Sequence, residues 1–98
     1  MKLDTKKRKT LKSKAHHLKP VVIIGRTNVN DSILKTVIES LDSHELIKIK
    51  FNHYKDRKAE LVDRINNKTN SELVSIIGNI AIIYKQNKDI NKRKYFID

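Results

Sequence analysis

Apolar residues recur at helical spacing near the N-terminus, where one narrow stripe separates many polar positions. The stripe consists of Leu11, Ala15 and Leu18, spaced by four and three residues. Asp4 or Thr5 can cap the start of this helix. We expect the helix to end at Lys19-Pro20, because a proline disfavours helical backbone in the residue before it. The pattern therefore predicts a first helix that buries little of its surface.

Two further stretches show broader amphipathic helical patterns. The second helix starts at Asn30 or Asp31. Its apolar stripe is Ile33, Leu34, Val37, Ile38 and Leu41. The third helix covers about 56–68, with Asp56 as a candidate cap. Its apolar positions are Ala59, Leu61, Val62 and Ile65.

Short apolar runs between the helices indicate strands. Residues 21–24 are β-branched throughout and apolar on both faces, which predicts a central strand covered on both sides. A second strand covers roughly 45–51. The runs 73–77 and 80–84 are joined by Gly78-Asn79, which predicts a β-hairpin. The predicted fold class is α/β, a single small domain with element order α-β-α-β-α-β-β and a four-stranded mixed sheet packed with helices.

Length and composition exclude several classes of protein. A chain of 98 residues has room for one core. The absence of cysteine excludes disulfides, thiolate metal sites and cysteine nucleophiles. No apolar run approaches the roughly 20 residues that span a bilayer, and the basic start is not followed by the apolar segment of a secretory signal. We expect a cytoplasmic monomer without a membrane partner.

Positive charge is concentrated at the two ends of the chain. The net charge is +11. Residues 1–19 contribute +7 (8 − 1), residues 85–98 contribute +3 (5 − 2), and residues 20–84 contribute only +1 (9 − 8). A localised basic excess attracts polyanions, so we expect a nucleic acid as partner. We expect residues 1–85 to form the binding domain and residues 86–98 to be a basic polar tail that is at best partly ordered.

Two neighbouring features are candidates for holding a phosphate backbone. Gly25-Arg26-Thr27-Asn28 lies between a buried strand and a helix, where backbone N–H groups and the Arg26 guanidinium attract phosphate oxygens. The other candidate residues are Lys6, Lys7, Arg8, Lys9, Lys12, Lys14, His16 and Lys19. We expect both features to lie side by side at one edge of the domain. The alternatives are an ordinary β-to-α turn and a solubilising helix face.

Residue patterns typical of catalysis are missing from the sequence. No Ser-His-Asp, HExxH or phosphate-loop motif occurs. His16 and His17 are adjacent and lack the spacing of a helical metal pair. Asp56, Glu60 and Asp63 alternate with basic residues, which indicates a solvated, salt-bridged helix. We therefore expect no enzyme, cofactor, metal or small-molecule substrate.

Three segments of the chain resemble the CRM (chloroplast RNA splicing and ribosome maturation) domain family, in particular its small bacterial YhbY-like members. They are residues 9–25, which end in HHLKPVVIIG, residues 44–50 and residues 76–85. The resemblance implies a fold similar to the C-terminal domain of bacterial translation initiation factor three. It also implies binding to RNA of the large-subunit ribosomal precursor. The GxxG loop of the family would fall on residues 25–28, where Asn28 replaces the second glycine.

Three functional hypotheses follow. The first is an RNA-binding assembly factor for the large ribosomal subunit. The second is a general nucleic-acid binder that uses only its charged ends. The third is a protein-interaction module that docks on an acidic ribosomal or translation-factor surface.

Overall fold

Within residues 2–25, 29–53 and 55–97, which the computed structural model describes, three helices and four strands follow the predicted order. The helices are α1 (Thr5–Ala15), α2 (Asp31–His44) and α3 (Lys58–Thr69). The strands are β1 (Val22–Ile24), β2 (Leu46–Phe51), β3 (Glu72–Ile77) and β4 (Ile80–Tyr84). Short 3₁₀ helices occur at Lys55–Arg57 and Ile90–Lys92. The α/β fold class is confirmed.

The four strands form one mixed sheet in the order β1-β2-β4-β3. β1 is parallel to β2, and β4 is antiparallel to both of its neighbours. The predicted hairpin is present, and Gly78 takes a φ of +57° in its turn. The turn thus uses the left-handed backbone region that glycine occupies without a steric penalty.

Helices cover the sheet on both faces. α2 and α3 pack on one face, against a cluster that includes Ile24, Ile49, Phe51 and Ile83. On the other face α1 contributes Leu11 and Ala15 to a second cluster, whose sheet members are Leu46, Val74, Ile82 and Tyr84. The narrow apolar stripe predicted for α1 therefore suffices to attach this helix to the sheet.

The first two helices begin where their caps predict. Asp4 accepts a hydrogen bond from the backbone N–H of Lys7 at 2.8 Å, and Asn30 accepts one from Ile33 at 2.9 Å. The third helix differs, because a 3₁₀ turn precedes it and no side chain caps it. The prediction of Asp56 as its cap is wrong.

The end of α1 lies earlier than the proline predicts. The helix ends at Ala15, and the N–H of Leu18 then bonds to the Ala15 carbonyl in a turn. The Leu18 carbonyl accepts a hydrogen bond from the ammonium of Lys48 on β2 at 2.9 Å. The predicted boundary at Lys19-Pro20 is therefore wrong, and the contact with Lys48 holds the turn after the helix against β2.

The prediction that β1 is a central strand is also wrong. β1 pairs only with β2 and forms an edge of the sheet. Val22 and Ile24 are buried, but Ile23 is 55% exposed between them. The unbroken apolar run reflects one buried face and one uncovered face.

The C-terminal segment, residues 86–97, packs against the domain. The buried carboxylate of Glu45 accepts hydrogen bonds from the backbone N–H groups of Asn87 at 2.6 Å and Lys94 at 2.5 Å. Ile97 is buried in the cluster that contains Leu3 and Leu11. Glu45 and Ile97 thus attach this stretch to the core, and the expectation that it is a basic tail, at best partly ordered, stays a prediction.

Candidate nucleic-acid interface

The outward face of α1 presents basic side chains, and none of the residues that line its surface depression is acidic. Lys9, Lys12 and His16 follow one another at helical spacing, and all three are exposed. Together with Ser13 and His17 they line a shallow depression of about 480 Å³. This surface, which we call the α1 basic face, can accept oxygen atoms of a polyanion.

Other predicted residues of α1 are placed differently. Arg8 donates a hydrogen bond from Nε to the Leu73 carbonyl of β3 at 3.1 Å, so its guanidinium is partly engaged at the sheet edge. Lys7 is half-buried, whereas Lys6, Lys14 and Lys19 are exposed. The cations of the first helix therefore do not form one equivalent set.

Gly25 lies at the carboxyl end of β1. The carbonyl of Ile24, the preceding residue, accepts a hydrogen bond from the N–H of Asn52 at 3.0 Å, which holds this end of β1 beside the end of β2. Arg26, Thr27 and Asn28 lie outside the described residues. A Cβ added to Gly25 would meet no heavy atom within 4 Å. The described surroundings leave space beside this glycine.

The Gly25 turn and α1 lie at different ends of the strands. α1 packs near Leu46, the first residue of β2, whereas Ile24 pairs with Phe51, the last. An uncovered part of the sheet separates them. Gly25 and α1 are therefore not directly side by side.

A third basic element comes from the C-terminal segment. Lys94 and Tyr95 join Lys19, Val21 and His44 around a cavity of about 380 Å³. Lys94 is not among the residues that the sequence pattern predicts at the interface. The alternation of Tyr95 and Ile97 was the available signal that this segment packs against the domain.

A comparison with protein-family models matches residues 3–85 to the CRS1/YhbY (CRM) domain. The chain belongs to the CRM domain family. The match covers α1, the Gly25 turn and all four strands, so it includes the α1 basic face. The resemblance carried by residues 9–25, 44–50 and 76–85 is confirmed.

Relatives of this CRM domain are known in several organisms. Protein YqeI of Bacillus subtilis, named a probable RNA-binding protein, is 35% identical over 88 residues, which are 89% of this chain and 92% of the relative. An RNA-binding protein of Haemophilus influenzae is 33% identical over 88 residues, 89% of each chain. The solution structure of the hypothetical protein SAV1595 from Staphylococcus aureus matches with a TM-score of 0.79 and 33% identity, covering 95% of this chain and 98% of the other.

Other kinds of site can be examined within the same described ranges of this CRM domain. They contain no group of three His, Asp or Glu side chains suited to a metal ion. They also contain no helix that is long and apolar enough to cross a membrane. At the start of α3, Arg57 pairs with Glu60 at 3.2 Å, as the charge alternation predicts, and this guanidinium lowers the pKa of the Glu60 carboxyl.

Proposed function

We propose that this CRM domain binds RNA through the α1 basic face and the turn at Gly25, and that it acts by stoichiometric binding as an assembly factor for the large ribosomal subunit. The observation that carries the proposal is the exposed row of Lys9, Lys12 and His16. Membership of the CRM family and the names of the relatives support RNA as the polyanion.

The chemistry of the α1 basic face suits a phosphate backbone. Lysine ammoniums that meet phosphates release condensed counterions, and this release favours binding at low salt. No carboxylate among the described residues forms an ion pair with Lys9 or Lys12. These ammoniums therefore need not leave a protein partner when RNA binds.

Removing two of these charges tests the interface. The Lys9→Gln/Lys12→Gln variant should bind a single-stranded RNA more weakly. Its plot of log association constant against log salt concentration should be less steep by about 1.4, or about 0.7 for each lost phosphate contact. Filter binding over a salt series measures both quantities.

The matched control is Lys35→Gln/Lys68→Gln, which removes the same charge from exposed positions of α2 and α3 on the opposite face of the sheet. A general loss of attraction would lower both affinities equally. Equal slopes for the two double variants would contradict the assignment of the α1 basic face.

The ribosomal part of the proposal needs a different measurement. Crosslinking in cells, followed by sequencing of the attached RNA, should recover RNA of the large-subunit precursor in preference to other transcripts. Equal affinity for structured ribosomal RNA and duplex DNA would favour a general nucleic-acid binder. Association with ribosomal particles that survives ribonuclease treatment would favour a protein-interaction module.

A further inference from the structure

One row of side chains crosses the whole sheet on the face that carries α1. The strand register pairs Ile23 with Lys50, Lys50 with Ile80, and Ile80 with Ile77. These four residues belong to β1, β2, β4 and β3 in spatial order. We call them the open row. With a strand spacing of about 4.8 Å, the row is about 14 Å wide.

α1 leaves most of the open row uncovered, and of its four residues only Ile80 packs, partly buried, against the α1 cluster. The helix packs over Leu46, Val74, Ile82 and Tyr84, which lie further toward the first residues of β2. At the two ends of the row, Ile23 is 55% exposed and Ile77 is 50% exposed. Lys50 and Ile80 between them are half-buried. Aliphatic surface is therefore left in contact with solvent at the end of the sheet where Gly25 lies.

The charge of this surface selects an anionic occupant. Lys50 has no hydrogen-bond or ion-pair partner among the residues that the structure describes, although aliphatic side chains flank it. The adjacent row, formed by Lys48, Ile82 and Ser75, adds a second ammonium and no carboxylate. A half-buried cation without a partner favours a ligand that brings negative charge into an apolar setting.

We propose that the open row is a platform for an unpaired segment of the bound RNA. The side chains of Ile23, Ile77 and Ile80 would contact ribose and base faces, while the Lys50 ammonium would bind a phosphate or a base oxygen. The platform lies between the part of the sheet that α1 covers and the Gly25 end of β1, so a strand that contacts α1 and this turn can lie across it. This inference rests on the proposed function and adds the class of RNA.

Unpaired RNA fits this surface better than a duplex does. In a duplex the base faces are stacked on one another and only groove edges and backbone are accessible, whereas an unpaired nucleotide offers its face to an apolar side chain. The aliphatic side chains can contact any base, because they have no hydrogen-bond donors or acceptors that would distinguish one base from another. We therefore expect discrimination by strandedness rather than by sequence.

The test compares a 12-nucleotide single-stranded RNA of mixed sequence with a blunt 12-base-pair RNA duplex. The Ile23→Thr/Ile77→Thr variant keeps β-branched residues in both strands. It should bind the single strand with about fivefold lower affinity, because apolar contact area is lost, and bind the duplex as the wild type does. The Ile38→Ala variant, at a position of α2 that is 47% exposed, is the matched control and should change neither affinity.

A spectroscopic measurement keeps the test independent of variant folding. With isotope-labelled isoleucine methyl groups in the wild-type protein, NMR should detect intermolecular contacts from Ile23, Ile77 and Ile80 to ribose or base protons of the single strand. Ile38 should show none.

The outcomes separate the two proposals. If the wild type binds neither RNA, the proposed function fails, and this inference fails with it. If the wild type binds RNA but the open-row variant binds the single strand equally well and the methyl contacts are absent, only the platform is overturned. If the variant keeps RNA binding but loses association with ribonuclease-treated ribosomal particles, the open row docks a protein, and the platform is again overturned.

Discussion

The two glycines of the chain differ in what their backbone requires. Gly78 has a φ of +57°, a region where side chains are strained, whereas Gly25 is not in that region. Added Cβ atoms meet no heavy atom within 4 Å at either position. Conformation thus accounts for Gly78, whereas the described structure does not require a glycine at position 25.

Alanine at each glycine should separate folding from binding. Gly78→Ala should lower the free energy of unfolding by about 1–2 kcal/mol, because alanine is strained at positive φ. Gly25→Ala should leave that free energy unchanged or raise it by up to about 1 kcal/mol, yet weaken RNA binding where a phosphate approaches the turn. Urea unfolding and filter binding measure the two effects. Full RNA affinity in Gly25→Ala would remove the turn from the interface.

Sequence reasoning at the residue scale succeeded where the cause was local. The caps at Asp4 and Asn30 and the hairpin glycine depend on a few neighbouring residues; the glycine was predicted, and each cap was one of two predicted candidates. Engagement of Arg8 with the Leu73 carbonyl joins residues 65 positions apart, and no local pattern encodes it. The prediction that Arg8 contacts RNA stays a prediction.

Among the secondary-structure elements, one carboxylate joins a helix end, a strand start and the C-terminal segment. Glu45 follows α2 with a φ of +64°, and its buried carboxylate accepts from the N–H groups of Asn87, Lys94 and Tyr95. Its own carbonyl accepts from Lys85 at 2.9 Å. Buried anions need such donors because water is absent.

Removing this charge should loosen the C-terminal segment. Glu45→Gln should lower the free energy of unfolding by about 2 kcal/mol, since hydrogen bonds to a charged acceptor become bonds to a neutral one. Urea denaturation measures the loss. Glu39→Gln, an exposed position on α2, should change stability by less than about 0.5 kcal/mol. Equal effects of both substitutions would show that the hydrogen bonds to Glu45 contribute nothing.

The helices and strands could be predicted well from the sequence, but the order of the strands in the sheet could not. Helical periodicity and apolar runs gave all seven helices and strands of the described chain in order. β1 lies at the sheet edge because β4 pairs with β2 and not with the free side of β1, and this pairing joins residues far apart in the sequence. For the same reason, the alternating lysines of β2 were not recognised as part of an uncovered face.

For the whole molecule, the buried Tyr84 and the half-buried Tyr95 affect stability at high pH. Burial, followed by the nearby Glu45 carboxylate, raises the pKa of Tyr84 to about 12, and the same causes raise the pKa of Tyr95. In the unfolded chain a tyrosine ionises near pH 10. Because the folded state resists this ionisation, the free energy of unfolding should fall as the pH rises from about 10 to 12.

A single substitution isolates this effect. Tyr84→Phe removes the ionisable hydroxyl, so its unfolding free energy should fall less over the same pH interval, by about 2 kcal/mol at the upper end. Denaturation curves of both proteins at several pH values measure the difference, and lysine titration cancels between them. Parallel pH profiles would contradict a raised Tyr84 pKa.

The packing of both chain ends on one face of the sheet has a consequence for encounter in solution. Leu3, Leu11 and Ile97 share a cluster, so Lys94 and the basic residues of α1, distant along the chain, lie on one side of the sheet, whereas Lys88 lies beside Glu39 and Asp42 of α2 on the other. Such an asymmetric charge distribution has a large dipole moment. The electric field of a polyanion orients such a molecule during its approach, so most encounters begin with the basic side facing the polyanion.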